Sequence, residues 1–121
     1  MTGETQWVRI ASKAEIAEGS VQGVPFGEGF VAVYHLQGGA VCATSDICTH
    51  EYARLSEGWL EGGTVVCPLH GGHFDAQTGA AVGRPATCAL SVFNTCLRGD
   101  EIWLEVNEDT MRKVSESNGF N

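Results

Sequence analysis

A chain of 121 residues has room for one hydrophobic core but not for a second catalytic domain, so one task is expected of it. Its formal charge of −8 argues against nucleic acid and anionic lipid as partners, and it suits either docking to a basic protein surface or plain solubility. There is no apolar run near the length of a membrane span, and Met1–Ile10 lacks the charged start and hydrophobic stretch of a signal peptide; a soluble, cytoplasmic protein without a membrane partner is expected.

Glycine, at 16 residues, separates short β-branched or aromatic segments, the pattern of an all-β antiparallel domain. The first strand is expected at Trp7–Ile10. One short helix of about two turns should follow, with Ser12 as N-cap, Glu15 as its capping-box partner and Gly19 at its stop. Strands are next expected at Phe30–Leu36 and Ala40–Thr44, joined by a tight hairpin at Gly38-Gly39. Further strands are expected at Thr64–Cys67, Ala89–Phe93 and Glu101–Val106. The polar segment Asn107–Asn121 offers little to bury and reads as a frayed tail, unless a partner orders it. The expected division is thus a folded unit over 1–106 and a tail over 107–121.

The chemistry is concentrated in two short boxes. Cys48-Thr49-His50 is followed, after the sixteen residues Glu51–Val66, by Cys67-Pro68-Leu69-His70. Each box offers one soft anionic sulfur and one neutral nitrogen, so two metal ions can be held with both Cys on one and both His on the other. The competing use of such a set is a structural zinc site, since two Cys and two His also suit tetrahedral Zn²⁺. Zinc modules, however, usually pair Cys with Cys at CxxC spacing and do not need the Pro and Gly residues seen here. The other cysteines, Cys42, Cys88 and Cys96, are odd in number and lack framework spacing; buried thiols in a reducing compartment are expected.

The run Ile47–Asp75, ICTHEYARLSEGWLEGGTVVCPLHGGHFD, resembles a Rieske protein in its two boxes, its Ser56-Glu57-Gly58 turn and its HGGHFD tail. The resemblance implies a base domain of β-sandwich or small-barrel character, with a cluster-binding subdomain inserted at about residues 46–85. It also implies one [2Fe-2S] cluster per chain, with Cys48, His50, Cys67 and His70 as ligands and the imidazole edges facing solvent. Gly83-Arg84-Pro85 is placed like a proline loop that covers the cluster from a third side, or it is an ordinary turn. Thiolates stabilise ferric iron better than neutral imidazoles do, so the iron bound by His50 and His70 should accept the electron.

The high-potential branch of that family joins its two loops by a disulfide, at positions that match Ala53 and Leu69 here. It also presents Ser and Tyr hydroxyls to the cluster, at positions that match Gly72 and Phe74. Those donors would stabilise the reduced state, so a potential near the low end of the Rieske range is expected, about −150 mV against roughly +300 mV. Of the remaining histidines, His73 should play a supporting hydrogen-bonding or packing role and His35 a structural one. They cannot supply the two-His, one-carboxylate triad of a mononuclear oxygenase iron, so this is not an oxygenase catalytic subunit. Trp7, Trp59 and Trp103 read as core or loop-packing aromatics.

The resemblance implies a soluble one-electron carrier, not an enzyme, that passes electrons from a flavin-containing reductase to the terminal oxygenase of an aromatic-ring-hydroxylating dioxygenase system. The rivals are the small Rieske-like subunit of an assimilatory nitrite reductase and, from another class, a zinc-stabilised interaction module. Glu51, beside His50, would belong to the docking tip.

Overall fold

The structure, a computed structural model, describes residues 5–47, 53–68, 71–83 and 89–118. Among them the chain forms β1 (Gln6–Ser12), β2 (Ser20–Phe26), β3 (Gly29–His35), β4 (Val41–Ser45), β5 (Trp59–Glu61) and β6 (Thr64–Val66). It continues with β7 (His73–Asp75), β8 (Ala81–Gly83), β9 (Val92–Phe93), β10 (Thr95–Arg98), β11 (Glu101–Val106) and α1 (Glu108–Asn118). The strands make three antiparallel sheets, ordered β1-β11-β10, β2-β3-β4-β9 and β5-β6-β7-β8. The expected all-β class is found.

Strand β3, GFVAVYH, organises these sheets because its successive side chains point to opposite faces and both faces are covered. Val31 and Val33 enter a base core with Ile16, Val24, Phe93, Ile102 and Leu104. Ala32 and Tyr34 enter a second core with Leu55, Val65, Cys67, Phe74 and Leu90. The second core belongs jointly to the base and to the β5–β8 sheet, and it roots the inserted subdomain on the back of β3.

The hairpin at Gly38-Gly39 forms as expected, with φ of 92° and 96°, where glycine has no Cβ to clash, and with the Leu36 N–H donating to the Ala40 carbonyl at 2.8 Å. The helix after Ser12 is shorter than expected. Its capping box forms, with the Ser12 hydroxyl accepting from the Ala14 N–H and the Glu15 carboxylate from the Ser12 N–H, yet the helix is a single 3-10 turn, Lys13–Glu15. Ile16 ends it, extending its backbone to bury its side chain in the base core and offering its carbonyl to His35 Nδ1–H at 2.7 Å.

Strand β2 was not legible because Gly23 and Pro25 interrupt it. It nevertheless pairs with β3 over its whole length, and as an edge strand it tolerates a proline without an N–H. The expected strand Ala89–Phe93 shortens to Val92–Phe93, because Leu90 donates its N–H to the Gly79 carbonyl at 2.7 Å and leaves the ladder.

Within the segment read as a frayed polar tail, Glu108–Asn118 is a helix. Asn107 caps it, its side-chain oxygen accepting the Thr110 N–H at 3.0 Å while the Thr110 hydroxyl accepts the Asn107 N–H at 3.3 Å. One face then docks: Thr110 and Val114, four residues apart, are buried, and Val114 joins the base core. Two tryptophans also differ from expectation, since Trp7 and Trp59 are exposed on strands at 38% and 49%. Trp103 is half-buried beneath the Arg98 guanidinium, which lies 4.9 Å from its ring. Among the described residues no helix is long and apolar enough to cross a membrane.

Leu104, fully buried in the base core, tests this division. Leu104→Ala should destabilise the fold by about 2–5 kcal/mol in guanidinium unfolding while leaving the visible spectrum of the folded protein unchanged.

Candidate metal centre

Of the four expected ligands, Cys67 is described; Cys48, His50 and His70 lie outside the described residues, as do Glu51, Leu69, Arg84, Pro85 and Cys88. Cys67 directly follows β6 and is fully buried in the core on the back of β3. Its N–H donates to the Gly72 carbonyl at 2.8 Å, and Val66 pairs with His73 one step further on. The second box is therefore the loop of the β6–β7 hairpin, closed at its base.

The first box is closed in the same way. Ile47 and Arg54 form an antiparallel bridge on its two sides, and the Leu55 N–H donates to the Asp46 carbonyl at 2.7 Å. Asp46 is fully buried and fully engaged: Oδ1 accepts the Ser56 N–H at 2.8 Å, while Oδ2 accepts the Ser56 hydroxyl at 2.8 Å and Arg54 Nε–H at 2.9 Å. The Arg54 guanidinium lies over the Phe30 ring of β3, 3.8 Å from its centroid. Sequence reading overlooked this cluster of Asp46, Arg54 and Ser56. The available signal was an acid and a base flanking one box at a spacing of eight.

The two closed loops are held against each other. A Cβ on Gly58 would collide with the Val66 carbonyl oxygen and come within 3.2 Å of Pro68, so only glycine lets the Ser56-Glu57-Gly58 turn lie flat on the start of the second box. Ala53 and Leu55 from the first loop share one core with Cys67 and Phe74 from the second. A thiol presented by one closed loop, beside a second loop rooted in the same core, fits a group bound between the two boxes.

Cys42 and Cys96 are half-buried, not fully buried as expected. Burial, reinforced by the Asp75 carboxylate, pushes the Cys42 thiol up to about 12, so the free thiol stays protonated at neutral pH. His35 is the structural histidine expected, only 9% exposed and bonded to Ile16. His73 is a half-buried strand residue opposite Val66. At the positions matched to hydroxyl donors, Gly72 and Phe74 are both buried, and neither side chain can donate.

A family model described as the Rieske [2Fe-2S] domain matches residues 6–94. The ferredoxin component of the naphthalene 1,2-dioxygenase system of Pseudomonas aeruginosa is 35% identical over 102 residues, which are 84% of this chain and 97% of that protein. Among solved structures, the ferredoxin of carbazole 1,9a-dioxygenase from Nocardioides aromaticivorans superposes with a TM-score of 0.77 at 29% identity, covering 82% of this chain and 96% of that one. A ferredoxin chain from a complex of reduced oxygenase and oxidized ferredoxin in carbazole 1,9a-dioxygenase gives 0.75 at 35% identity, covering 81% and 91%.

Gly58→Ala should force the two boxes apart, since backbone stands in the way of the new methyl group. Iron content and visible absorption of the purified protein should fall several-fold while the far-UV β signal is retained; wild-type loading would show that the contact at Gly58 is dispensable.

Proposed function

This chain belongs to the Rieske [2Fe-2S] family, and we propose that Cys48, His50, Cys67 and His70 hold its single cluster. Like the ferredoxin components it resembles, it is an electron carrier and not a catalyst. The cluster supplies a one-electron couple when bound. The polypeptide's part is to present two thiols and two imidazoles from loops closed at their bases, and to exclude water from the Cys67 side through the core it shares with Leu55 and Phe74. Because Gly72 and Phe74 bring no hydroxyl to this side, the potential lies at the low end of the family's range, about −150 mV.

The carrier takes electrons from a flavin-containing reductase and delivers them to the terminal oxygenase of an aromatic-ring-hydroxylating system in the cytoplasm. The observation that carries this reading is a match over 97% of the length of a protein named as the ferredoxin component of a naphthalene 1,2-dioxygenase system. A ferredoxin crystallised with its oxygenase, 35% identical to this chain, supports the same pairing. The charge of −8 suits encounter with basic surfaces on both partners.

Replacing His70 with Ala should abolish the Rieske spectrum, whereas His73→Ala should leave two irons and two acid-labile sulfides per chain; the opposite pattern would move the ligand from position 70 to 73. Stopped-flow transfer from a candidate reductase should slow as salt is added, because attraction between exposed charges is screened over about 8 Å at physiological ionic strength. Glu51→Lys should slow it further. Rates indifferent to both would assign docking to an apolar surface.

A further inference from the structure

The cluster of Asp46, Arg54 and Ser56 has a placement that its contribution to stability does not account for. A buried ion pair gains little over well-packed apolar residues, because desolvating both charges offsets most of their attraction. Such a pair is better suited to fixing a position. This one spans the neck of the first box: Asp46 lies two residues before Cys48, and Arg54 and Ser56 follow the box on its far side. It is also tied to the base at two points. Arg54 stacks on Phe30 of β3, and Gly23 of β2 leaves the space the three groups occupy; a Cβ there would lie 2.6 Å from Arg54 Nη2, 2.7 Å from Ser56 Oγ and 3.0 Å from Asp46 Oδ2. The carboxylate is fully buried and the guanidinium partly so, which leaves their interaction only weakly screened by solvent.

We propose that Asp46, Arg54 and Ser56 form a positioning clamp that locks the neck of the first ligand loop to β2 and β3 and, through its balanced pair of charges, sets the reduction potential of the group the loop holds. The proposal rests on the assignment of Cys48 and His50 as ligands. Arg54 and Asp46 act through the loop and are positioning residues. Adding an electron adds negative charge, so an uncompensated Asp46 carboxylate opposes reduction and an uncompensated Arg54 guanidinium favours it.

The test uses the purified holoprotein and reads the midpoint potential, the electron paramagnetic resonance g-values of the reduced form and the thermal midpoint of each variant. Arg54→Gln should shift the potential negative, Asp46→Asn should shift it positive, and the double variant should return towards wild type. Gly23→Ala changes no charge but displaces all three groups, so it should alter the g-values; Ser56→Ala should do so more mildly. These two variants keep the test open if Arg54→Gln or Asp46→Asn fails to fold. Leu104→Ala, in the base core, serves as the control that lowers the thermal midpoint without moving potential or g-values. Clamp variants that match this control, losing stability alone, overturn the proposal. Single shifts of the same sign overturn its electrostatic half. Cys48→Ala is the separate arm: normal iron loading there would defeat the ligand assignment itself, whatever the clamp variants do.

Discussion

Strand β3 has no outer face, and the arrangement of the molecule follows from that constraint. Most antiparallel sheets bury one side and leave the other to solvent. Here Val31 and Val33 fill the base core while Ala32 and Tyr34 face the opposite way into a second core. Tyr34 pays for full burial by bonding its hydroxyl to Thr44 Oγ1 at 2.8 Å. The second core is too small to stand alone, yet it is where Cys67 and the bases of both boxes are fixed. A subdomain of three-residue strands, which has little stability of its own, thereby takes its rigidity from a seven-residue strand behind it.

Rigidity at the bases of the loops matters for an electron carrier. Each box is closed by a backbone bond across its neck, Cys67 to Gly72 in one and Leu55 to Asp46 in the other, so neither relies on distant segments to keep its ends together. Gly58 brings the two necks into contact, and the buried Asp46 carboxylate ties the two sides of the first neck together through Arg54 and Ser56. A site held in this way needs little rearrangement when its charge changes by one, and that is the condition for fast exchange with a partner at either end of the chain's task.

Which parts of this were legible in the sequence depended on range. The two boxes are contiguous runs whose chemistry is spelled out by four side chains, so the family and its cofactor could be read from them directly. β3, a nearly unbroken apolar run, and β11, which alternates, are long enough to declare themselves. β2 was hidden by Gly23 and Pro25, whose local meaning is a break; only its place at the sheet edge, with the clamp pressed against Gly23, explains them as strand residues. Among its described side chains helix α1 buries Thr110 and Val114, so its composition resembles a tail, and the Asn107–Thr110 cap was the local sign of order. The clamp was overlooked for another reason: apart from their placement on either side of one box, Asp46 and Arg54 are ordinary charged residues until that box closes.

We propose that two imidazoles from separate loops, His50 and His70, ligate the metal of this one-electron carrier. Protein grown with ¹⁵N-labelled histidine, reduced and measured by electron–nuclear double resonance, tests it most directly. Hyperfine coupling to two histidine nitrogens is expected, with His50→Ala and His70→Ala each abolishing the native signal. A reduced cluster coupled to no histidine nitrogen, or a protein that holds zinc and gives no such signal, would contradict it.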